Sequence, residues 1–480
     1  MNRLRPAPIL IILAILLAVI STHDGAPARA RVSKRARNLT ALDRYVANPD
    51  PNYAYRLVET IRREAFTAYV IRLTSQQWRT PEEVDHHLWE HWLTIVQPAV
   101  VSNPTGFLFI SGGSISSKAP GVPMPIFTDM AVRTRSVVAE LRTIPNEPLK
   151  FSDEQFKRNE DAIIAYSWEK FMKTGDETWP LRLPMTKAAV RAMDTITAFS
   201  ASTTDGKAAA KVERYIVSGG SKRGWTTWTT AAVDDRVVAI VPYVIDCLNL
   251  PASMDHHYRA YGFWAPAVSD YLKIWPWVGT PQYKALMKIE DPYEYRDRLT
   301  MPKLIINSTG DQFFLPDSSK FYFDDLEGEK HLRYVPNTRH DLNNSDAPLT
   351  LDAFYEAVLA GRPRPQYKWR FEKDGSIRVE TKTRPTEVRI WQATNPKARD
   401  FRLDIIGKAY QSEVLPPTRD GLYIGRVGRP TAGFTAWFIE MTYPNPTGGK
   451  HPLKLTTGVR VTPDVLPFAA WKSPDPPPAK

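Results

Sequence analysis

The stretch Arg214-Tyr-Ile-Val-Ser-Gly-Gly-Ser-Lys-Arg-Gly-Trp225 constrains this chain more than any other. An apolar run meets two glycines and a serine, and a helix-like segment opens directly behind them. A strand that passes into a helix through such a turn belongs in an α/β layer, with the serine raised at the carboxyl end of the sheet. Backbone N–H groups at that helix start can receive a developing negative charge. The expected spacing is Gly-x-Ser-x-Gly. Gly219 and Ser221 satisfy it, but Arg223 takes the second glycine place and Gly224 follows one position late. The second glycine normally lets helix and strand approach closely, so a plain glycine turn stays open as the bland reading.

The surrounding pattern supports the α/β reading. Strands are predicted at Phe66–Leu73, His91–Val96, Gly106–Ile110, Val137–Leu141, Tyr215–Val217, Val237–Ile245, Lys303–Asn307 and Leu332–Val335, from β-branched and aromatic runs. Helical stretches are predicted near Asp129–Arg135, Asp153–Thr174, Thr186–Ser200 and Ser318–Leu326. Alternation of this kind gives a mostly parallel sheet with helices on its faces. Between Ile245 and Lys303 lies an aromatic-rich insertion, about residues 250–300, read as a cap whose Trp264, Trp275 and Trp277 wall a substrate pocket. Near Arg362-Pro-Arg-Pro365 the texture changes to short alternating segments, Tyr367–Glu372, Ser376–Thr381, Glu387–Trp391, Phe401–Ile406, Gly421–Val427, Gly433–Tyr443 and Leu453–Thr462. These predict a C-terminal antiparallel β-sandwich domain over 366–465, then a proline-rich tail over 466–480.

The N-terminus reads as an export signal. Met1 to Arg5 is basic, and Ala7 to Ile20 is an apolar stretch of 14 residues. As a helix it would span about 21 Å, short of a hydrocarbon core of about 30 Å. Ala28-Arg-Ala30 supplies a cleavage site, so residues 1–30 are expected to be removed and the α/β domain to occupy 31–362. A periplasmic or secreted location follows. The single cysteine, Cys247, excludes an intramolecular disulfide and reads as a buried small hydrophobe. The net charge of +11 is dispersed, with no basic stripe interleaved with aromatics, so nucleic acid is not an expected partner.

A serine hydroxyl needs a base to take its proton, and the base needs an orienting acid. In α/β-hydrolases the chain order is Ser, then Asp or Glu, then His, with acid and base in loops after late strands. Leu304 to Asp311 is a strand running into a loop, and Leu332 to His340 repeats the arrangement. Asp246, at the end of the preceding strand, is a rival acid, and an Asx turn beside Gly310 is the bland reading of Asp311. After Asp311 the only other histidines are His331, ahead of its strand, and His451 in the β-rich region. Ser221, Asp311 and His340 are therefore the candidate triad. The oxyanion donors would be the N–H of Lys222 and one from the Gly112-Gly113-Ser114 turn, Gly113 or Ser114. The charges of Lys222 and Arg223 could recognise a substrate carboxylate or serve only the helix start. His87 and His91 are spaced i, i+4, but they lack the HExxH order and lead into a strand, so they are read as structural. No metal or organic cofactor is expected.

Several long runs carry a family resemblance: Glu160 to Trp168, Leu183 to Lys187, Gly219 to Trp225, Asp291 to Leu299, Ile305 to Asp317 and Arg333 to His340. They resemble the PhoPQ-activated pathogenicity-related protein family, over roughly Leu42 to Val461. The resemblance implies an α/β-hydrolase fold of secreted proteins, Ser221, Asp311 and His340 as a serine-hydrolase triad, and an association with virulence, the envelope or signalling. It implies no substrate. The leading expectation is an exported serine hydrolase that cleaves an ester or amide of a small molecule or peptide, esterase and peptidase both standing. The alternative is a catalytically silent secreted binding or signalling protein on the same scaffold, with an envelope or cell-surface partner.

Overall fold

A computed structural model describes residues 39–202 and 209–473. The expected export signal and the end of the proline-rich tail lie outside the described residues. Nine strands form the first part of one sheet: β1 (Ala54–Arg62), β2 (Phe66–Gln77), β3 (Leu88–Pro98), β4 (Thr105–Ile110), β5 (Val138–Leu141), β6 (Arg214–Gly220), β7 (Val237–Tyr243), β8 (Lys303–Ser308) and β9 (Lys330–Val335). Their spatial order is β1-β2-β3-β5-β4-β6-β7-β8-β9. The first three strands are an antiparallel meander, β3 pairs antiparallel with β5, and β5 through β9 run parallel.

Helices accompany it: α1 (Ala41–Ala47), α2 (Pro125–Thr134), α3 (Glu160–Thr174), α4 (Arg182–Ala201), α5 (Lys222–Val233), α6 (Leu250–Tyr261), α7 (Pro281–Glu290) and α8 (Ala347–Leu359). Successive strand residues point to opposite faces. On β6, Tyr215 and Val217 join the core formed with α3, α4 and α5, while Ile216 joins the core formed with α2 and α8. Helices thus cover both faces of a mixed sheet, which is an α/β fold. The helix starts differ from expectation for local reasons. α2 begins earlier, at Pro125, because proline suits the first helical position. α3 begins later, at Glu160, because Leu149 and Arg158 pair as a bridge and hold the intervening chain as a loop. Only a short 3₁₀ turn, Ser318–Phe321, forms where a helix to Leu326 is expected.

The C-terminal region adds β10 (Tyr367–Phe371), β11 (Ile377–Thr381), β12 (Glu387–Asn395), β13 (Gln411–Val414), β14 (Leu422–Gly425), β15 (Phe434–Tyr443), β16 (Leu453–Thr456) and β17 (Arg460–Thr462). All their pairings are antiparallel and they form two layers, but one layer is not a separate sheet. β16 pairs with β9, so β16-β15-β12-β13 extends the central sheet. The free edge of β9 would otherwise expose unpaired N–H and C=O groups, and β16 covers it. The second layer, β10-β11-β14, packs on β12 and β15 through Ile377, Val379, Ile390 and Ile439. Phe401–Ile406, expected as a strand, is a turn of helix instead. Asp400 accepts from the Arg402 N–H, and Gly407 at φ 62° ends the turn. Among the described residues, no helix is long and apolar enough to cross a membrane.

Candidate active site

The turn between β6 and α5 passes from strand to helix through Ser221, the arrangement expected from the sequence. Ser221 sits at φ 55°, ψ −126°, a backbone region that a non-glycine residue occupies only under local constraint. Its N–H donates to the Tyr243 carbonyl at 2.9 Å, tying the turn to the end of β7. Gly224 performs the role that the pattern assigns one residue earlier. A Cβ on Gly224 would stand 2.8 Å from the Gly219 carbonyl oxygen, and one on Gly219 would stand 2.7 Å from the Arg223 carbonyl oxygen. The shifted spacing therefore still gives close helix–strand approach. Behind the elbow, the fully buried Arg182 donates to the Lys222 carbonyl at 2.9 Å and pairs with Glu290 at 3.3 Å.

Asp311 and His340 lie at the carboxyl ends of β8 and β9 and meet directly, Nδ1 to Oδ2 at 2.7 Å. The other Asp311 oxygen accepts the Phe313 N–H at 2.8 Å and the Phe314 N–H at 3.3 Å. One carboxylate thus makes the Asx turn and holds the imidazole. An ionised carboxylate only accepts, so Nδ1 carries the proton and Nε2 keeps its lone pair. That Nε2 is buried and has no hydrogen-bond partner among the described residues. Ser221 is half-buried, its hydroxyl caps no helix N–H, and no hydrogen bond joins it to His340. Ser221 and His340 share two neighbours, Phe313 and Phe314, whose rings lie 4.5 and 5.9 Å from the imidazole and also wall the cavity at Ser221. The rival acid is occupied: Asp246 accepts the hydroxyls of Tyr322 and Tyr334 at 2.6 Å each, and burial pushes its pKa up to about 7.

Lys222 opens α5, so its N–H has no intrahelical partner. On the early side, the Ser114 N–H is taken by Ser117 Oγ at 3.3 Å, whereas Gly113 N–H has no partner among the described residues. The side-chain charges that follow Ser221 are committed inside the protein. Lys222 pairs with Glu160 and Asp161 at 2.8 Å each, and Arg223 holds Glu160 through both terminal nitrogens at 3.0 and 2.6 Å. Burial raises the Glu160 pKa, but Arg223 and Lys222 outweigh it and the net pKa falls to about 2. Glu147, 3.6 Å from Arg223, is instead pushed up to about 8, first by burial and then by Glu160. Of the two readings of Lys222 and Arg223, recognition of a substrate carboxylate gives way to internal pairing.

The cavity at Ser221 encloses about 40 Å³ between Trp225, Ile245, Tyr271, Trp275, Phe313 and Phe314. Of the tryptophans singled out in the sequence, Trp275 lines it and Trp264 stacks behind Trp275 at 4.2 Å. Trp277 is buried and does not line it. Cys247 also lines it, as a buried thiol that burial holds well above its ordinary pKa. Sequence reasoning overlooked Phe313 and Phe314, although they directly follow the acid loop, and the Glu160–Asp161 pair, two adjacent carboxylates matching two adjacent cations. His91 is fully buried, with Nε2 2.8 Å from Ser75 Oγ and Nδ1 3.1 Å from the Thr143 carbonyl; burial lowers its pKa to about 3. Both ring nitrogens are engaged, so the spaced histidines offer no ligand pair. Among the described residues no group of three or more His, Cys, Asp or Glu is set for a metal.

The model of the PhoPQ-activated pathogenicity-related protein family matches residues 42–402. Autocrine proliferation repressor protein A of Dictyostelium discoideum is 37% identical over 461 residues, covering 90% of this chain and 92% of that protein. Solved structures similar to the chain include an acetyl xylan esterase from Paenibacillus sp. R4, 14% identical, covering 63% of this chain and 90% of that one at a TM-score of 0.44. Another is acetyl xylan esterase 1 from Thermoanaerobacterium sp. JW/SL YS485, 13% identical, covering 62% and 87% at a TM-score of 0.41. A third is the acylaminoacyl peptidase of Pyrococcus horikoshii, 13% identical, covering 65% and 50% at a TM-score of 0.39.

Proposed function

This chain belongs to the PhoPQ-activated pathogenicity-related protein family, and within it we propose an exported serine hydrolase that opens an ester or amide through an acyl-enzyme. The observation that carries this reading is the Asp311–His340 pair, which leaves Nε2 uncommitted, in a chain whose strained elbow carries Ser221. Ser221 Oγ attacks the carbonyl carbon while His340 Nε2 takes its proton. The oxyanion is received by the N–H groups of Lys222 and Gly113, Gly113 being favoured over Ser114 because its N–H is free. Collapse expels an alcohol or amine, which takes the proton from His340, and water then releases the acid by the same route. Asp311 stays ionised and steadies the imidazolium. The Ser221–His340 bond closes when substrate arrives, as catalytic hydrogen bonds often tighten only in the complex. The aromatic walls of the small cavity at Ser221 favour a short, apolar acyl group.

Hydrolysis of activated short-chain acyl esters by wild type and Ser221→Ala tests this. A loss of at least about 10⁴-fold is expected, and one below about tenfold contradicts it, since removing a triad serine usually costs on the order of 10⁶-fold. The open Ser221–His340 contact favours one other reading, a secreted binding or signalling protein without turnover, in keeping with the name of the Dictyostelium relative.

A further inference from the structure

A second cavity opens on the same carboxyl edge of the sheet, beyond the glycine turn from Ser221. It measures about 260 Å³ and is bounded by Trp92 on β3, by Ser111, Gly113 and Lys118 after β4, and by Glu140 and Arg142 at the end of β5. Its character is opposite to that of the serine cavity. Arg142 gives its Nε to Glu140 at 2.9 Å, and its terminal nitrogens make no hydrogen bond among the described residues. Ser111 Oγ donates to the other Glu140 oxygen at 2.9 Å, which fixes the carboxylate. Lys118 is exposed and makes no ion pair or hydrogen bond among the described residues. The loop that carries it is pinned by Trp92, whose indole N–H donates to the Ser117 carbonyl at 3.0 Å. Two cations and one carboxylate therefore line the cavity, and both cations have donors to spare.

Gly112, which lines this second cavity, lies against the helix that follows Ser221. A Cβ there would stand 2.5 Å from an Arg223 guanidinium nitrogen, so this turn packs against the residue two beyond Ser221. Lys222 and Arg223 are neutralised by Glu160 and Asp161, and the uncommitted positive charge next to the elbow lies here instead.

We propose that this cavity binds a single carboxylate carried on a hydroxylated, ring-sized group, the part of the substrate that lies across the glycine turn from Ser221. Two cations against one carboxylate match a monoanion better than a dianionic phosphate. The guanidinium edge of Arg142 suits the planar carboxylate. Glu140 is an acceptor for hydroxyls, and Trp92 is an apolar wall for a ring. The volume is just below the range of about 300–1,000 Å³ typical of drug-sized ligands, which limits the occupant to about one ring unit. The assignment of this group to the substrate rests on the hydrolase reading; the binding itself does not.

Calorimetric titration of the whole protein with D-glucuronate and with D-glucose, its neutral counterpart, tests the site. Glucuronate is expected to bind at least about tenfold more tightly, the equivalent of one charge-assisted hydrogen bond. Arg142→Gln should erase the difference. Because Arg142 also touches Glu140, Lys118→Gln provides a variant with no internal partner to lose, and it should reduce the preference about threefold or more, with an unchanged melting temperature. Ser221→Ala should bind glucuronate as wild type does. Binding that survives alongside absent turnover in wild type would sink the hydrolase reading and leave this site standing. Equal affinity for the two sugars, or a preference that both cation variants retain, overturns the proposal.

Discussion

Two serine–histidine neighbourhoods stand in this molecule, and they differ in almost every physical respect. Ser75 and His91, on β2 and β3, share a 2.8 Å hydrogen bond, and the second imidazole nitrogen is held by a backbone carbonyl. Both residues are fully buried, and burial keeps the imidazole neutral. Ser221 and His340 share no hydrogen bond, but Ser221 is half-buried on a strained turn and His340 is oriented by a carboxylate with one nitrogen left free. The closed pair is finished structure. The second set holds an unused base and a serine on a strained turn, two of the groups that a nucleophilic reaction requires. Residue type and proximity alone would rank the two the wrong way round.

The largest expected contrast comes from exchanging the serines. Ser221→Ala should abolish ester hydrolysis by about 10⁴-fold or more while leaving the melting temperature near that of wild type. Asp311→Asn should cost about 10³-fold or more, because the amide can donate to Nδ1 and so favours the wrong tautomer. Ser75→Ala should do the reverse, leaving turnover within about twofold but costing about 1–3 kcal/mol in chemical denaturation, the usual cost of a buried group left without a partner. If Ser75→Ala lost activity with no loss of stability, the distinction between the two pairs would collapse.

A smaller effect should come from the C-terminal region. Asn337 sits at φ 56° in the loop that carries His340, and its side-chain amide makes two 2.9 Å hydrogen bonds with the Tyr410 backbone. The Leu403 N–H donates to the Gly310 carbonyl beside Asp311 at 3.0 Å. The strands after Tyr367 thus do more than extend the sheet, since the segment between β12 and β13 clamps both the acid loop and the base loop. Asn337→Ala should lower kcat about tenfold with little change in KM, because a loosened imidazole affects the transition state more than binding. An unchanged kcat would detach this region from the site.

The smallest effect is on pH dependence. Glu147 keeps its proton up to about pH 8 in the folded protein, whereas the unfolded chain releases it near the ordinary pKa of 4.5. Between those values the folded state binds the extra proton, so the contribution of this group to stability falls as pH rises. Glu147→Gln removes the titration. Its melting temperature relative to wild type should climb from pH 5 to pH 8 and then level off. A pH-independent difference would mean that Glu147 is not held protonated. Glu160, displaced downward to about 2, acts in the opposite sense, and its contribution is lost only as pH falls below the ordinary value of 4.5.

The layer architecture was legible because alternation of apolar strands and helices is a local property, and β4 through β9 follow it in chain order. Asp311 and His340 were legible for the same reason: each ends a strand whose neighbours are sequential. What escaped depends on contacts between distant segments. Nothing near Lys222 and Arg223 announces that Glu160 and Asp161, about sixty positions earlier, will neutralise them. The antiparallel texture after Arg364 was visible, but the pairing of β16 with β9 was not, because short alternating strands carry no mark of which edge they join. Aromatic richness marked the insertion, yet the ring that faces the cavity is set by the 3₁₀ turns Pro266–Tyr271 and Trp275–Trp277. Gly224 shows the limit of spacing rules, since close approach was achieved one residue away from where the pattern places it.

The most direct test is to treat the folded protein with a fluorophosphonate probe and locate the adduct by peptide mass spectrometry. The central claim predicts one phosphonylated residue, Ser221, with labelling lost on heating and in His340→Ala, while Ser75 stays unmodified. An unlabelled Ser221 in folded wild type, or equal labelling with and without the imidazole, would contradict it.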